Sequence, residues 1–572
     1  MDYGSFDKML YMKALYCIVA AFAVFTSAAA DNPQLVIRID PMADFIKDQR
    51  ESTAAPVLGY AGAMLEYPDY MLQSLFVTNR SETAKAMEAA GAKLVKEWGA
   101  LRRWEVGMAW TNAKDDVERE ALRRRYGREF FCADPKVWFS FRKENGMKVL
   151  LCLEHYSTLL DASKGEKSSE IEDVKNSICD YLKWIRKNGF SGQVAGFELG
   201  NEPYWGKNPE DYARRWCAIV PEIRKIWPDA QIGMPLAEYR PDDPDIAAVR
   251  ARCEDTAWCE SKGEFSFSRL NQWSGRFIVA MKPVLDEITH VIYHFYGADA
   301  AYGCSMSGFN RIANFAKVYP EIKDKKVWIT EWRERSDEDN RCHQTFSSAL
   351  WKAHYMLTVL TRPEVDGVNN HCIASLAGGM YVSDGKEWQV QWDERNKNYS
   401  DVSGIGRPHM ELGPSGPLFR LYTDALVDHP IVLNSGANGY QGLNEKMLAR
   451  GVRVYAGSWA SALYYDGREK GAQWVAATNP NRTSLAILCA NSKDRPQTFR
   501  LDLTKTKVKG NAQIRAVSCP EDKVKLHEKA GDPKPWIVED RAEGIKDEAP
   551  AIELKMPPRS YMTYVVSIKV SE

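Results

Sequence analysis

Val194-Ala195-Gly196-Phe197-Glu198-Leu199-Gly200-Asn201-Glu202-Pro203 is a short apolar run that stops abruptly in Gly-Asn-Glu-Pro. Val194 to Leu199 reads as a buried strand that delivers its last residues to a loop. Upstream, Glu172 to Asn188 has helical patterning ended by Gly189, and downstream a second helical stretch runs from about Pro209 to Trp227. Helix, strand and helix in immediate succession is the unit of a parallel α/β fold.

The same unit recurs on either side. Strands are expected at Val57 to Ala63, within Lys93 to Val106, and at Lys148 to Leu153, Val194 to Leu199, Gln231 to Pro235, His290 to Phe295, Val327 to Trp332 and Gly367 to Cys372. The second of these is open between an end at Glu97-Trp98 and one at Arg103-Trp104. Helices are expected at Ser81 to Ala90, Asp134 to Asn145, Asn271 to Leu285, Asn310 to Tyr319, Gln344 to Leu360 and Pro417 to Val427. Eight strand-helix units make a (β/α)8 TIM barrel. Past Val427 short alternating segments follow, punctuated by Gly, Pro, Asn and Asp: Leu463 to Tyr465, Trp474 to Ala477, Leu485 to Ala490, Thr498 to Leu503, Gln513 to Val517, Ala551 to Lys555 and Tyr561 to Val570. They predict an all-β sandwich, with which the early strand Gln34 to Asp40 pairs. The expected organisation is a leader over 1–30, an N-terminal strand segment over 31–54, the barrel over 55–428 and the sandwich over 429–572.

Composition narrows the class further. With 45% hydrophobic and 27% charged residues, the 572-residue chain is an ordinary globular protein. Its 76 basic and 77 acidic side chains nearly cancel, so no general positive field exists to grip nucleic acid or an anionic membrane. Lys8 and Lys13 precede an apolar run from Ala14 to Phe25 and the small residues Ser27 to Ala30, the layout of a secretory signal cleaved near Ala30. That places the mature chain outside the cell or in the periplasm. The run is far shorter than the ~20 residues of a membrane span. Asp2 and Asp7 are foreign to such a leader, which leaves Met9 or Met12 as alternative starts. The cysteines are scattered singly apart from Cys253 and Cys259, whose bridging stays open, and no metal-ligand spacing occurs. No metal and no cofactor are expected, and oligomeric state is not legible.

In a barrel the reactive groups stand at the carboxyl ends of the strands. The fourth strand ends in Asn201-Glu202-Pro203 and the seventh, Val-Trp-Ile-Thr-Glu-Trp, delivers Glu331. Two carboxylates facing each other across a barrel mouth can split a glycosidic bond, one protonating the leaving oxygen and the other attacking the anomeric carbon. Mutual repulsion is expected to raise the pKa of Glu202 while Glu331 is ionised.

The pair Gly-Asn-Glu-Pro and Trp-Ile-Thr-Glu-Trp resembles the clan A glycoside hydrolases, retaining TIM-barrel enzymes. The resemblance implies that Glu202 is the acid/base, Glu331 the nucleophile, and Asn201 a hydrogen-bond partner of the sugar hydroxyl beside the anomeric carbon. Strand six ends Tyr293-His294-Phe295-Tyr296-Gly297, and by the same match His294 or Tyr296 should bond Glu331. The Ile552 to Tyr561 segment is similar to the closing strands of the sandwich in the arabinofuranosidase, β-xylosidase and β-glucuronidase branches. Further pocket candidates are Glu154 and His155 after strand three and His371 near the end of strand eight. Trp205, Trp332 and Trp104 are candidate stacking platforms, with core packing the alternative for Trp104. Arg102 and Arg103 read by default as surface ion pairs, and the long 374–416 segment, with Trp388, Trp392 and Tyr399, as a loop shaping selectivity. The expected protein is a secreted retaining glycoside hydrolase with a carbohydrate substrate; the alternative is a carbohydrate-binding barrel without chemistry.

Overall fold

The structure, a computed structural model, describes residues 35–39, 41, 45–51, 58–61, 76, 79–126, 133–154, 157–161, 166–237, 247–248, 250–251, 267–297, 315–334, 345–371, 381–382, 390–393, 398–401, 411–433, 435–437, 472–503, 506–519, 534, 536–545 and 549–570. Among them eight strands close into a barrel: β1 (Leu58–Ala61), β2 (Leu94–Glu97), β3 (Lys148–Cys152), β4 (Val194–Glu198), β5 (Ile232–Pro235), β6 (His290–Gly297), β7 (Lys326–Glu334) and β8 (Val365–His371). All neighbours are parallel, and β8 returns to β1 with Val368 opposite Leu58. This is the expected TIM barrel. Its strands are buried on both faces, which is why they read as unbroken apolar runs rather than alternating ones.

The open question about the second strand is settled by Gly99. Its φ of 62° lies in the left-handed region and stops the chain after Glu97, so helix Ala100–Asn112 begins directly and carries Arg103 and Trp104. Both are buried: Arg103 and Arg142 pair with Glu97, and Trp104 stacks on Tyr181 at 5.2 Å. Neither is a surface or pocket residue.

Two layers of side chains fill the ring. Leu94, Leu150, Ala195, Ile292 and Trp328 form a small apolar cluster separate from the main core. A Cβ on Gly196 would meet Trp328 at 2.3 Å and one on Gly233 at 2.8 Å, so two glycines make room for the indole. Side chains alternate along a strand, and two positions beyond Leu94, Leu150, Gly196, Ile292 and Trp328 the inward residues are Lys96, Cys152, Glu198, His294 and Thr330. The layer under the mouth is therefore charged.

Outside the ring, outward residues such as Val95, Phe197, Ile329 and Trp332 join the main core beneath the helices. The appended strands form a seven-stranded sheet, including Phe45–Asp48, Ala472–Thr478, Ser484–Asn491, Thr506–Ser518 and Ser560–Val570, and a four-stranded sheet in which Leu35–Ile39 runs parallel to Gln497–Leu503. A second apolar cluster, with Trp474, Ile487, Phe499, Leu554 and Met562, lies between them. The main core continues from barrel helices into sandwich residues Val475, Leu488, Val517 and Tyr561, and Tyr561 Oη donates to Pro414 O at 2.6 Å. The edge strand Ile537–Gly544 was not expected; every residue in it is exposed, so it carries no hydrophobic alternation. No described helix is long and apolar enough to cross a membrane. The leader, Cys253, Cys259, Trp388 and the Leu463 to Tyr465 segment lie outside the described residues, and five described cysteines, Cys152, Cys179, Cys217, Cys489 and Cys519, are unbridged.

Candidate active site

Glu202 stands four residues beyond the end of β4 on a turn built for it. Gly200 has φ 88°, and a Cβ there would lie 1.9 Å from Tyr212 Oη, whose hydroxyl donates to Leu199 O at 2.7 Å. Glu202 itself sits at φ 45°, ψ 46°, before the single turn Pro203–Trp205. A non-glycine residue held in the left-handed region costs about 1 to 3 kcal/mol and marks sites where position outranks relaxation. Three donors converge on its carboxylate: His294 Nδ1 at 2.8 Å and Tyr204 Oη at 3.1 Å on Oε1, and Trp205 Nε1 at 3.1 Å on Oε2.

Glu331 reaches the same place through an irregularity in β7. The pairing with β6 runs Tyr293 to Ile329 and then His294 to Glu331, so one extra residue, Thr330, is inserted. The bulge lets Thr330 and Glu331, adjacent in sequence, both contribute to the interior. Trp98 Nε1 at 2.9 Å and Lys96 Nζ at 3.1 Å donate to Glu331 Oε1.

His294 links the two carboxylates, though differently from the expectation. Its hydrogen bond goes to Glu202, while Glu331 Oε2 stands 3.4 Å from Nδ1 as an ion-pair neighbour. The β6–β7 register sets His294 beside Glu331, and the bulge turns the ring so that Nδ1 meets the Glu202 loop and Nε2 meets Thr330 Oγ1 at 3.0 Å. Burial pushes the imidazole towards neutrality, but the charge of Glu331 and the bonds to Glu198 and Glu202 prevail over it and over Lys96, and its pKa rises to about 9. Burial and Glu331 push Glu202 up, yet the His294 bond and cation together with Lys96 hold it below its ordinary value. The expected rise in Glu202 is thus reversed. His294 and Glu202 share one proton, which rests on the imidazole.

Of the remaining candidates, Asn201 lies at the mouth with Oδ1 accepting from Lys96 Nζ at 2.8 Å. Trp205 is 53% exposed beside Glu202, as a stacking platform requires. His371 packs against Trp98 with ring centroids 5.3 Å apart, and burial, with Arg333, Lys96 and His294 against the opposing pull of Glu331, lowers its pKa to about 4. Two candidates are corrected. Trp332 follows Glu331 directly, so the pleat points it to the opposite face, where it is fully buried and stacks on Tyr355 at 4.3 Å. Glu154 turns to the start of helix Ala100–Asn112, where Oε2 accepts from Leu101 N at 3.0 Å; burial and Glu105 raise it to about 8. It joins neither Glu202 nor Glu331. Tyr296 lies on β6 and Trp392 and Tyr399 on the hairpin Val390–Asp393 and Asn398–Asp401, with side chains outside the described part, as is all of His155.

Sequence reasoning missed Lys96, Trp98 and Glu198. Lys96 and Glu198 are completely buried, and Lys96 Nζ lies 3.0 Å from Glu198 Oε2. The signal was available: counting by twos from Leu94 and Gly196 places both inside the ring. Glu202, His294 and Glu331 each offer one ligand atom within 4.8 Å of the others, a spacing that could hold a metal ion. The Lys96 ammonium lies beside them, 3.1 Å from Glu331 and 3.2 Å from His294 Nε2.

No protein-family model matches the chain, and no curated protein matches it. Solved structures do. An α-L-arabinofuranosidase from Thermotoga maritima in complex with arabinose aligns with a TM-score of 0.57 at 12% identity, over 93% of this chain and 100% of that one. A family 51 α-L-arabinofuranosidase from Bifidobacterium longum gives 0.57 at 11% identity over 94% and 100%, and a glucosidase from Croceicoccus marinus 0.50 at 12% over 94% and 100%. These neighbours are clan A glycoside hydrolases, and the chain has their fold, a TIM barrel followed by a β-sandwich.

Proposed function

We propose that the protein is a secreted retaining glycoside hydrolase in which Glu202 is the acid/base and Glu331 the nucleophile. The observation that carries this reading is the convergence of their carboxylates, with oxygens within 4.8 Å of each other at the barrel mouth. So close an approach of one oxygen from each carboxylate is in keeping with the ~5 to 5.5 Å separation of a retaining pair. The environments also divide the labour. Glu331 faces a fixed ammonium, which favours the ionised form a nucleophile needs. Glu202 shares a proton with His294 and can pass it to the leaving oxygen, then take one from water once the sugar is bonded to Glu331.

Trp205, exposed beside Glu202, offers its face to the sugar on the leaving-group side. Asn201, its Oδ1 held by Lys96, turns its amide nitrogen to the hydroxyl next to the anomeric carbon. No cofactor is called on. Two of the neighbours are arabinofuranosidases, so arabinofuranosides head the substrate screen, followed by xylosides, glucosides and glucuronides. The test is Glu331→Gly: turnover of the parent's best aryl glycoside falls below about a thousandth, and azide restores part of it as a glycosyl azide. Undiminished hydrolysis by that variant, or glycan binding by the parent without any hydrolysis, would overturn the reading.

A further inference from the structure

Directly beneath the two carboxylates the barrel holds a layer of buried charge, of which the reaction as proposed uses only the Lys96 ammonium. Lys96 on β2 and Glu198 on β4 have no solvent exposure. The ammonium is ringed by acceptors, Asn201 Oδ1 at 2.8 Å, Glu198 Oε2 at 3.0 Å, Glu331 Oε1 at 3.1 Å and Thr330 Oγ1 at 3.3 Å, while His294 Nε2, 3.2 Å away, is a like-charged neighbour when the ring is protonated. Thr330 in turn donates to Glu198 Oε1 at 3.3 Å.

Stability does not explain this layer. The equivalent positions one step deeper are apolar and filled by Trp328, and a buried ion pair is generally no better for stability than the hydrophobic residues that could replace it. What the pair does supply is a charge at a fixed point. Lys96 has three protons, and the acceptors on its inner side anchor the head while one proton remains for Glu331. Without Glu198, the ammonium would be left in a dry site with Glu331, at the open mouth, as its nearest ionised partner, and burial would favour its neutral form.

We propose that Glu198 and Lys96 are a positioning pair for the nucleophile: Glu198 keeps the Lys96 ammonium inside the barrel, and Lys96 holds the Glu331 carboxylate ionised and in place. This rests on the reading of Glu331 as nucleophile. Other charges facing Glu331 are Glu202 beyond β4, His294 on β6 and His371 on β8, with Arg333 of β7 facing His371 and the Cys152 thiol facing Lys96 from β3.

The sign of a pH shift tests the pair. Removing a cation beside Glu331 raises the acid limb of kcat/KM, by about 1 to 3 pH units for a contact of this kind. If Glu198 acts through Lys96, Glu198→Gln releases the ammonium and also moves the acid limb up. If Glu198 is only a neighbouring negative charge, its removal moves the limb down. Three variants are compared with the parent on aryl glycosides with good and poor leaving groups: Glu198→Gln, Lys96→Met and the double variant. The expected result is an upward shift in all three, equal in the double variant and Lys96→Met, with the same fractional loss for both leaving groups because the defect lies in the nucleophile. The double variant leaves no unpaired buried ion and covers the case in which Lys96→Met alone does not fold. A downward or absent shift in Glu198→Gln, or a double variant whose loss is the product of the single losses, overturns the proposal. The parent and Glu331→Gly, run in the same plates, separate the outcomes: if they behave as a nucleophile requires and Glu198→Gln does not respond, the pair alone is refuted.

Discussion

Replacing His294 by Asn removes the imidazole's charge while keeping a donor near the Nδ1 position, 2.8 Å from Glu202 Oε1. The ring is buried, and its pKa rises from 6.5 to about 9 because Glu331, Glu198 and Glu202 together outweigh burial and Lys96. At ~1.4 kcal/mol per pH unit, the folded protein favours the cation by about 3 kcal/mol. Two consequences follow from the raised value. The contribution to stability is complete below pH 6.5, the ordinary imidazole value, and is lost as the pH climbs to about 9. The proton that His294 lends to Glu202 stays available over the same range, so the basic limb of kcat/KM for the free enzyme falls near pH 9. Urea unfolding at several pH values between 6 and 10, paired with a pH profile on one aryl glycoside, measures both. In His294→Asn the basic limb moves down by a unit or more, and the part of the stability loss between pH 6.5 and 9 that is worth about 3 kcal/mol disappears. A parent limb near 6.5, or one that His294→Asn leaves in place, would show that Glu202 titrates without the imidazole.

Two further substitutions probe the scaffold. Gly200→Ala combines a φ of 88° with a Cβ 1.9 Å from Tyr212 Oη, so the turn carrying Asn201 and Glu202 must shift; a displacement of this kind costs on the order of a hundredfold in kcat/KM while most of the unfolding free energy remains. Thermal melts beside kinetics decide it, and near-normal kcat/KM would contradict the tight fit. Glu154, raised to about 8, is protonated in the folded chain at pH values where the unfolded chain ionises it, so its effect on stability worsens as the pH rises from 4.5 to 8. Glu154→Gln keeps an acceptor for Leu101 N and removes that dependence, with kcat/KM little changed; loss of activity comparable to that of Glu331→Gly would return Glu154 to the site.

The two carboxylates were legible because each follows directly on an apolar run, and runs that are buried on both faces can only end at a mouth. The misreadings share one cause. Trp332 adjoins Glu331 in sequence, but a strand turns adjacent side chains to opposite faces and sends it to the core. In Leu94-Val95-Lys96-Glu97 two charged residues of opposite sign close the strand. In the structure the two charges part company, Lys96 inward to Glu331 and Glu97 outward to Arg103 and Arg142.

By itself the sequence determined the number of strand-helix units, their order, the sandwich that follows and the placement of Glu202 and Glu331 after strand four and on strand seven, since all of these depend on local periodicity and on which residues end each run. Tertiary structure alone decided how the site is charged. Whether His294 bonds Glu202 or Glu331 turns on a single bulge in β7, and whether Glu202 is raised or lowered turns on which cation closure of the barrel brings beside it. Lys96, Glu198, His294 and Glu331 come from four strands spread over more than two hundred residues, and electrostatic energy depends on their separation in space, which no local pattern records.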